Sequence, residues 1–382
     1  MTACDFLVVG GGVAGLSAAW QLARHGRVIV LERETCTGYH SSGRSATYYH
    51  FGIGNRPVRL LTQASGAFFT DPPPGFTEVP LATPAPAMMV VRAGQDELFE
   101  TNLAEMTAIT GSAREIDFDA MRMLVPVLRL GGEGITRGLL DPAAARLDGH
   151  ALMMGFARGL RASGGSIVTA AEVTLIERLA GRWRLRTPQG DFTAPVLVNA
   201  AGAWADSIAT LAGVAPLGLS PLRRTIISFD PPHGVDARGW PLVRSLANEF
   251  YFLPEGEHLL ASPADETPSP PCDAQPEELD IATAAWRIED VTTMQVRRVL
   301  HKWAGLRTFT ADRVPVAGFA ADAPGFFWLV GQGGYGLQTA PAMAAATESL
   351  VVGTPWPACL SLDAAALSPL RPTLLTPRTA ST

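Results

Sequence analysis

Three glycines near the start of the chain, Gly10, Gly12 and Gly15, have the spacing G-x-G-x-x-G. Each has a separate physical task in a dinucleotide-binding turn. The first makes the tight turn after a strand, the second lets the backbone approach a pyrophosphate, and the third lets the next helix pack closely on the strand. The pyrophosphate then meets unpaired N–H groups at the positive end of a helix dipole. The flanks agree with this reading. An apolar run over residues 5–9 leads in, and an apolar-periodic helix carrying Val13, Leu16, Ala19, Trp20 and Leu22 leads out. A second strand over 27–31 ends in Glu32, roughly 20 positions after Gly10, where an acid can accept from a ribose hydroxyl. The loop that follows, 38–46, is small, polar and glycine-rich, with hydroxyl and N–H donors and one arginine, Arg44. That composition suits phosphates and a flavin ring. Near the C-terminus Gly331, Gly333, Gly334 and Gly336 lie between an apolar strand (326–330) and an alanine-rich helix (337–351). A tight strand-to-helix turn explains one glycine but not four. Such a cluster offers N–H donors and a helix dipole to an anionic group.

The elements that must position these residues can be read from periodicity. Strand, helix and strand over 1–35 form the first half of a parallel sheet. The run 195–206 is a fully apolar strand entering a glycine turn and a helix, which is what a sheet covered on both faces requires. Between and after these pieces the pattern changes. Residues 47–141 and 216–304 carry strands and helices without nucleotide chemistry. The expected organisation is therefore a nucleotide domain from 1–46, 142–215 and 305–370, interleaved with a second domain from 47–141 and 216–304. The Pro/Thr/Ser-rich residues 371–382 are expected to form a disordered tail.

Composition narrows the partners. With 30 basic against 36 acidic residues and no basic run, nucleic acid and anionic membrane surfaces are poor candidates. No uninterrupted apolar stretch reaches spanning length, so no integral membrane segment is expected. Four cysteines without CxxC spacing fit a reducing compartment. The expected location is cytoplasmic, at most peripheral to the inner membrane. The scattered histidines give no metal-ligand spacing, and no metal is expected.

Six motifs occur in order: VVGGGVAGLSAAWQLA, LERE, GYHSSGRSA, LVNAAGAWAD, WAGLRTFTAD and GQGGYGLQTAPAMA. Together they resemble the D-amino-acid oxidase superfamily of flavoproteins, and within it most nearly the bacterial FAD-dependent D-arginine dehydrogenases, over about residues 4–370. The resemblance implies an α/β fold in which a Rossmann-type FAD-binding domain is interleaved with a mixed-sheet α+β substrate domain. It implies non-covalent FAD held by Gly10, Gly12, Val13, Ala14, Gly15, Glu32 and Arg33. The same site would draw on Ser41, Ser42, Gly43, Arg44, Ser45 and Ala46, on Val173, Ala201, Gly202 and Trp204, and on Gly333 to Thr339 (Gly334, Tyr335, Gly336, Leu337 and Gln338 between them).

For the substrate the resemblance implies an amino acid whose α-carboxylate is held by Arg223 and Arg307, with Tyr251 donating to it and the Gly334 carbonyl accepting from the amine. A planar guanidinium fork suits a carboxylate. Arg223 and Arg224 are adjacent on a strand and point to opposite faces, so only one can serve. The residues alone do not choose between them. Tyr48 and His50 lie near the reacting end by analogy, although the relatives have His and Thr at those two positions. The side-chain end departs further. Ala87 replaces an acid that meets the cationic side chain of D-arginine, Arg244 replaces a small apolar residue, and Ile53 replaces a tyrosine, with Leu242 beside them. Losing an acid and gaining an arginine makes a guanidinium substrate unfavourable in a low-dielectric cleft. An acidic or neutral side chain is expected instead.

The reaction this implies is oxidation at Cα, a hydride passing to flavin N5, with the imino acid then hydrolysing to 2-oxo acid and ammonia. The electron acceptor, quinone or oxygen, is not fixed by any residue type. The resemblance favours a dehydrogenase over an oxygen-using D-amino acid oxidase. A glycine- or sarcosine-type secondary-amine oxidase shares the fold and is the alternative.

Overall fold

The computed structural model describes residues 1–375. Its apolar β-branched runs form a six-stranded sheet in the order Ser166–Val168, Val28–Leu31, Phe6–Val9, Val196–Asn199, Phe326–Val330, Val316–Phe319. Neighbours run parallel except the edge strand Val316–Phe319, which is antiparallel to Phe326–Val330. Phe326–Val330 is buried at every position because both faces are covered. On one face Val8, Val198, Phe327 and Leu329 pack with Ala18, Ala19 and Leu22 of the helix Val13–Leu22, and with Ala342, Met343 and Ala346 of the helix Gly336–Val352. On the other, Leu7, Val9, Leu31 and Trp328 pack with Trp183, Leu185 and Phe192 of an antiparallel meander, Leu175–Leu179, Arg182–Thr187 and Gly190–Ala194.

A nine-stranded mixed sheet makes the second layer. Its long strand Ser220–Phe229 pairs antiparallel with His301–Phe309 over nearly its whole length. From the other edge of that strand the sheet continues through His258–Ser262, Tyr251–Glu255, Leu242–Ser245, Ala87–Arg92 and Ile135–Asp141. Period-two alternation sorts its side chains between two environments. Met88, Val90, Ile227, Phe229, Val243 and Phe252 pack beneath Ile281, Ala284, Ile288 and Val291 of the helix Glu278–Val291. Ala87, Met89, Ile226, Leu242, Tyr251 and Leu253 occupy the opposite face. That parity decides which side chains can reach the site between the layers.

Two chain segments differ from the expected organisation. The boundary expected at 305 falls inside His301–Phe309, which stays paired with Ser220–Phe229 to its end. The expected tail begins as structure. Arg371 is buried and ion-paired with Asp312 at 2.7 Å, and a short helix covers Pro372–Leu375. The remainder of that tail, 376–382, lies outside the described residues. Among the described residues no helix is long and apolar enough to cross a membrane.

Candidate active site

The first glycine turn is built by close approach. Gly10 has φ +107°, and a Cβ there would lie 2.4 Å from the Ala200 carbonyl oxygen. A Cβ on Gly15 would lie 1.9 Å from the Gly10 carbonyl oxygen, so helix and strand can meet only without it. Glu32 is 7% exposed and stitches the turn together. Its carboxylate accepts from the Gly11 N–H at 2.7 Å and the Glu34 N–H at 2.8 Å. A carboxylate has about four acceptor sites, so capacity remains for a ribose. Ser42 Oγ accepts from the Val13 N–H at 3.0 Å and fixes the polar loop on the helix N-terminus. The turn 199–205 is pinned by Asn199, whose side-chain amide donates to the Ala205 carbonyl at 2.8 Å.

Three cavities run end to end from this turn. The first is lined by Gly10, Gly12, Glu32, Arg33, Val173, Ala201 and Trp204. Trp204 is gripped there by the Arg33 guanidinium, 4.6 Å from its ring centre, and by the His40 ring, also 4.6 Å away. The middle cavity shares Gly12, Ser41, Ser42 and Gly202 with the first and adds Val13, Ala14, Ser45, Ala46, Arg307, Gly333, Gly334 and Gly336. The third shares Ser45, Ala46, Arg307, Gly334 and Leu337 with the middle one and adds Tyr48, His50, Ile53, Leu242, Arg244, Tyr251, Tyr335 and Gln338.

Several residues assigned from sequence have other tasks. Arg44 borders the middle cavity, but its guanidinium donates to the Tyr39, Ala274 and Ala304 carbonyls and pairs with Asp273. It straps the polar loop to the second layer, where its guanidinium donors are engaged. Gly15, Gly43 and Thr339 line none of the three cavities. Gly15 serves the close helix–strand packing expected of it, Gly43 lies against the Gly38 carbonyl, and the buried Thr339 hydroxyl donates to the Tyr335 carbonyl. Ala87 is fully buried one strand behind the third cavity, opposite Leu242, and it is Leu242 that reaches the cavity wall.

The choice between adjacent arginines is settled by strand register. Arg224 pairs with Gly305 and Leu222 with Arg307, so Arg224 and Arg307 share a face. Arg223 points the other way, where it forms ion pairs with Glu277 and with Asp280 at 3.0 Å. Arg223 therefore lines none of the three cavities, whereas Arg224 lines the middle one. Arg224 is 3% exposed, donates to the Asp265 carbonyl at 2.7 Å, and among the described residues leaves its buried Nη1 without a hydrogen-bond partner. Burial, and the positive charge of Arg307, pull its pKa down. Arg307 lies across Gly334, where a Cβ would come within 2.6 Å of its guanidinium carbon.

Tyr251 and Arg244 are directly opposite each other on neighbouring strands. Among the described residues the buried Tyr251 hydroxyl has no hydrogen-bond partner. Arg244 neither turns to solvent nor meets Glu249, whose carboxylate instead accepts from the Ser245 hydroxyl. His50 is held by two backbone bonds to the Gln338 amide. Burial, reinforced by Arg244, Arg59 and Arg307, pushes its pKa down to about 3. Tyr48 is raised by burial. Gln332, not among the expected site residues, borders the middle cavity, and among the described residues its buried Nε2 has no hydrogen-bond partner. Its place inside the second glycine cluster was the available signal. Among the described residues no group of His, Cys, Asp and Glu gathers as a metal site.

Comparison with known proteins places this geometry. The family model described as "DAO: FAD dependent oxidoreductase" matches residues 5–350. Mitochondrial dimethylglycine dehydrogenase of Rattus norvegicus is 29% identical over 277 residues, covering 68% of this chain and 30% of that protein. L-2-hydroxyglutarate dehydrogenase of Escherichia coli is 25% identical over 249 residues, covering 60% of this chain and 55% of the relative. Both alignments thus cover less than two thirds of the relative. The solved structure of glycine oxidase from Geobacillus kaustophilus superimposes with a TM-score of 0.82 at 20% identity, covering 97% of this chain and 99% of that one.

Proposed function

Because the chain belongs to the DAO family of FAD-dependent oxidoreductases, we propose that it catalyses oxidative deamination of D-amino acids other than D-arginine, working as a dehydrogenase. The residues present fit FAD. Three joined cavities run from Glu32 to Arg307, each bounded by a close-approach glycine, and among the described residues the buried Gln332 Nε2 beside the middle one lacks a hydrogen-bond partner. When bound, FAD supplies the two-electron acceptor. The chain supplies orientation and electrostatics.

The observation that carries the reading is the paired face of Arg224 and Arg307 beside the second glycine cluster, with Arg224 Nη1 and the Tyr251 hydroxyl left unpartnered in the protein. Two guanidinium forks and a phenol are the donor set of an α-carboxylate. Fixing that group holds the substrate in one orientation and lowers the entropic part of the barrier. The Gly334 carbonyl accepts from the amine in this reading. His50, kept neutral, places no further cation beside it. The imino product leaves for water, where it hydrolyses without the protein. The D-configuration rests on the ordered sequence motifs.

The test is steady-state turnover of the flavin-loaded protein with D-amino acids and a quinone or dye acceptor. Equal yields of 2-oxo acid and ammonia support deamination. A second reading, secondary-amine oxidation, draws on the similarity to dimethylglycine dehydrogenase. It gains if N-methylglycine or N,N-dimethylglycine turns over faster than every D-amino acid.

A further inference from the structure

Among the described residues Arg244 is a buried cation with no carboxylate in ion-pairing contact, Glu266 reaching it only through space. It is 8% exposed and sits in the third cavity. Its Nη2 donates to the Asn248 side-chain oxygen at 2.7 Å, and its Nε is buried with no partner. Among the described residues it forms no ion pair, and neither does Arg307 on the same cavity wall. No Asp or Glu lines that cavity. Arg224, next door, has only partial compensation. Asp265 is 3.8 Å away, and Glu266, at 3.4 Å, is shared with Arg313.

Taking one guanidinium out of water is costly, and placing several together adds mutual repulsion. A chain tolerates such an arrangement when a ligand completes it. One carboxylate between Arg224 and Arg307 compensates one end of the site. It leaves Arg244 facing the remaining space, which is walled by Leu242, Ile53 and Leu337. Those apolar walls suit a short methylene chain, and Arg244 at its end suits a second carboxylate.

We infer that the substrate is an amino dicarboxylate, with its α-carboxylate on Arg224 and Arg307 and its distal carboxylate on Arg244. This rests on the deamination reading above and narrows it to side chains of aspartate or glutamate length. A neutral side chain would leave Arg244 buried and uncompensated in the complex.

The test uses the flavin-loaded protein in three measurements. In wild type, kcat/KM for D-glutamate or D-aspartate is expected to exceed that for D-glutamine and D-leucine by about 10²-fold. In R244M the ratio of D-glutamate to D-leucine is expected to fall by a similar factor, with R244K intermediate because it keeps the charge without the fork. Glutarate, which has no amine to oxidise, is expected to bind wild type more tightly than butyrate by calorimetry, and R244M is expected to lose that difference. The melting temperature of ligand-free R244M is expected to equal or exceed that of wild type, because an apolar side chain relieves a buried charge. A wild-type preference for neutral side chains, or an R244M defect equal on both substrates, overturns the inference and leaves deamination standing. Failure of every D-amino acid to reduce the flavin overturns both.

Discussion

Replacing Arg224 and, separately, its neighbour Arg223 by methionine separates two faces of one strand. Arg224 is 3% exposed, shares a face with Arg307, and carries a buried donor with no protein partner. A charge-assisted hydrogen bond contributes about 1.5–3 kcal/mol, and removing one member of a buried charged pair costs about 2–5 kcal/mol. Taking about 2–4 kcal/mol, R224M should lose roughly 30- to 900-fold in kcat/KM, at about 1.4 kcal/mol per tenfold. Arg223 pairs outward with Glu277, which is 62% exposed, and with Asp280. Arg223 and Asp280 are themselves largely buried, so R223M should lower the melting temperature; because Arg223 lines none of the three cavities, its kcat/KM should stay within about threefold of wild type. The assay is the rate of flavin reduction by substrate under anaerobic conditions, with flavin content and melting temperature recorded for each variant. Removing Arg224 also strips a cation from Asp265 and Glu266, so R224K, which keeps the charge but not the fork, separates lost recognition from lost stability. An R223M defect as large as that of R224M refutes the face assignment.

Gly15→Ala forces a methyl to within 1.9 Å of a backbone oxygen. It should yield protein with little bound flavin and a lowered melting temperature, read by the ratio of flavin to protein absorbance. His50 has a folded pKa of about 3 against an unfolded value of 6.5. Because the folded value is depressed, its contribution to stability is fully present above about pH 6.5 and is lost as pH falls toward 3, at about 1.4 kcal/mol per unit. Denaturant unfolding at pH 7 and pH 4.5 should therefore show a drop about 2–3 kcal/mol smaller in H50Q than in wild type; an equal drop contradicts the assignment. Arg44→Ala removes the donors to the Ala274 and Ala304 carbonyls. It should weaken flavin retention by loosening the polar loop, measured by dilution or dialysis, while R44K retains part of it.

The nucleotide end of the site was legible because its determinants are local. A glycine that must accept φ +107°, a glycine that must admit a carbonyl, and an acid at the end of the next strand all announce themselves by spacing. The fully apolar strands declared a doubly covered sheet for the same reason. What stayed hidden depended on register. Arg223 and Arg224 are indistinguishable until Ser220–Phe229 is paired with His301–Phe309, which fixes which of them shares a face with Arg307. Ala87 looked like a pocket residue because it occupies an equivalent position in a relative, yet its single methyl cannot reach past Leu242. Arg44 looked like a phosphate ligand by type and loop, and only the long-range contacts to Asp273 and the Ala304 carbonyl show that its donors are engaged. Arg371 appeared to begin a loose tail because nothing nearby in sequence reveals its partner, Asp312.

The central claim is that the paired arginine face orients a D-amino acid for oxidation. Its most direct test is one anaerobic mixing of flavin-loaded protein with each D-amino acid, beside its L-enantiomer and N-methylglycine. The flavin absorbance is expected to bleach with at least one D-amino acid other than D-arginine and to stay unchanged with the L-enantiomers at the same concentration. Bleaching by L-amino acids, or by N-methylglycine alone, would contradict it.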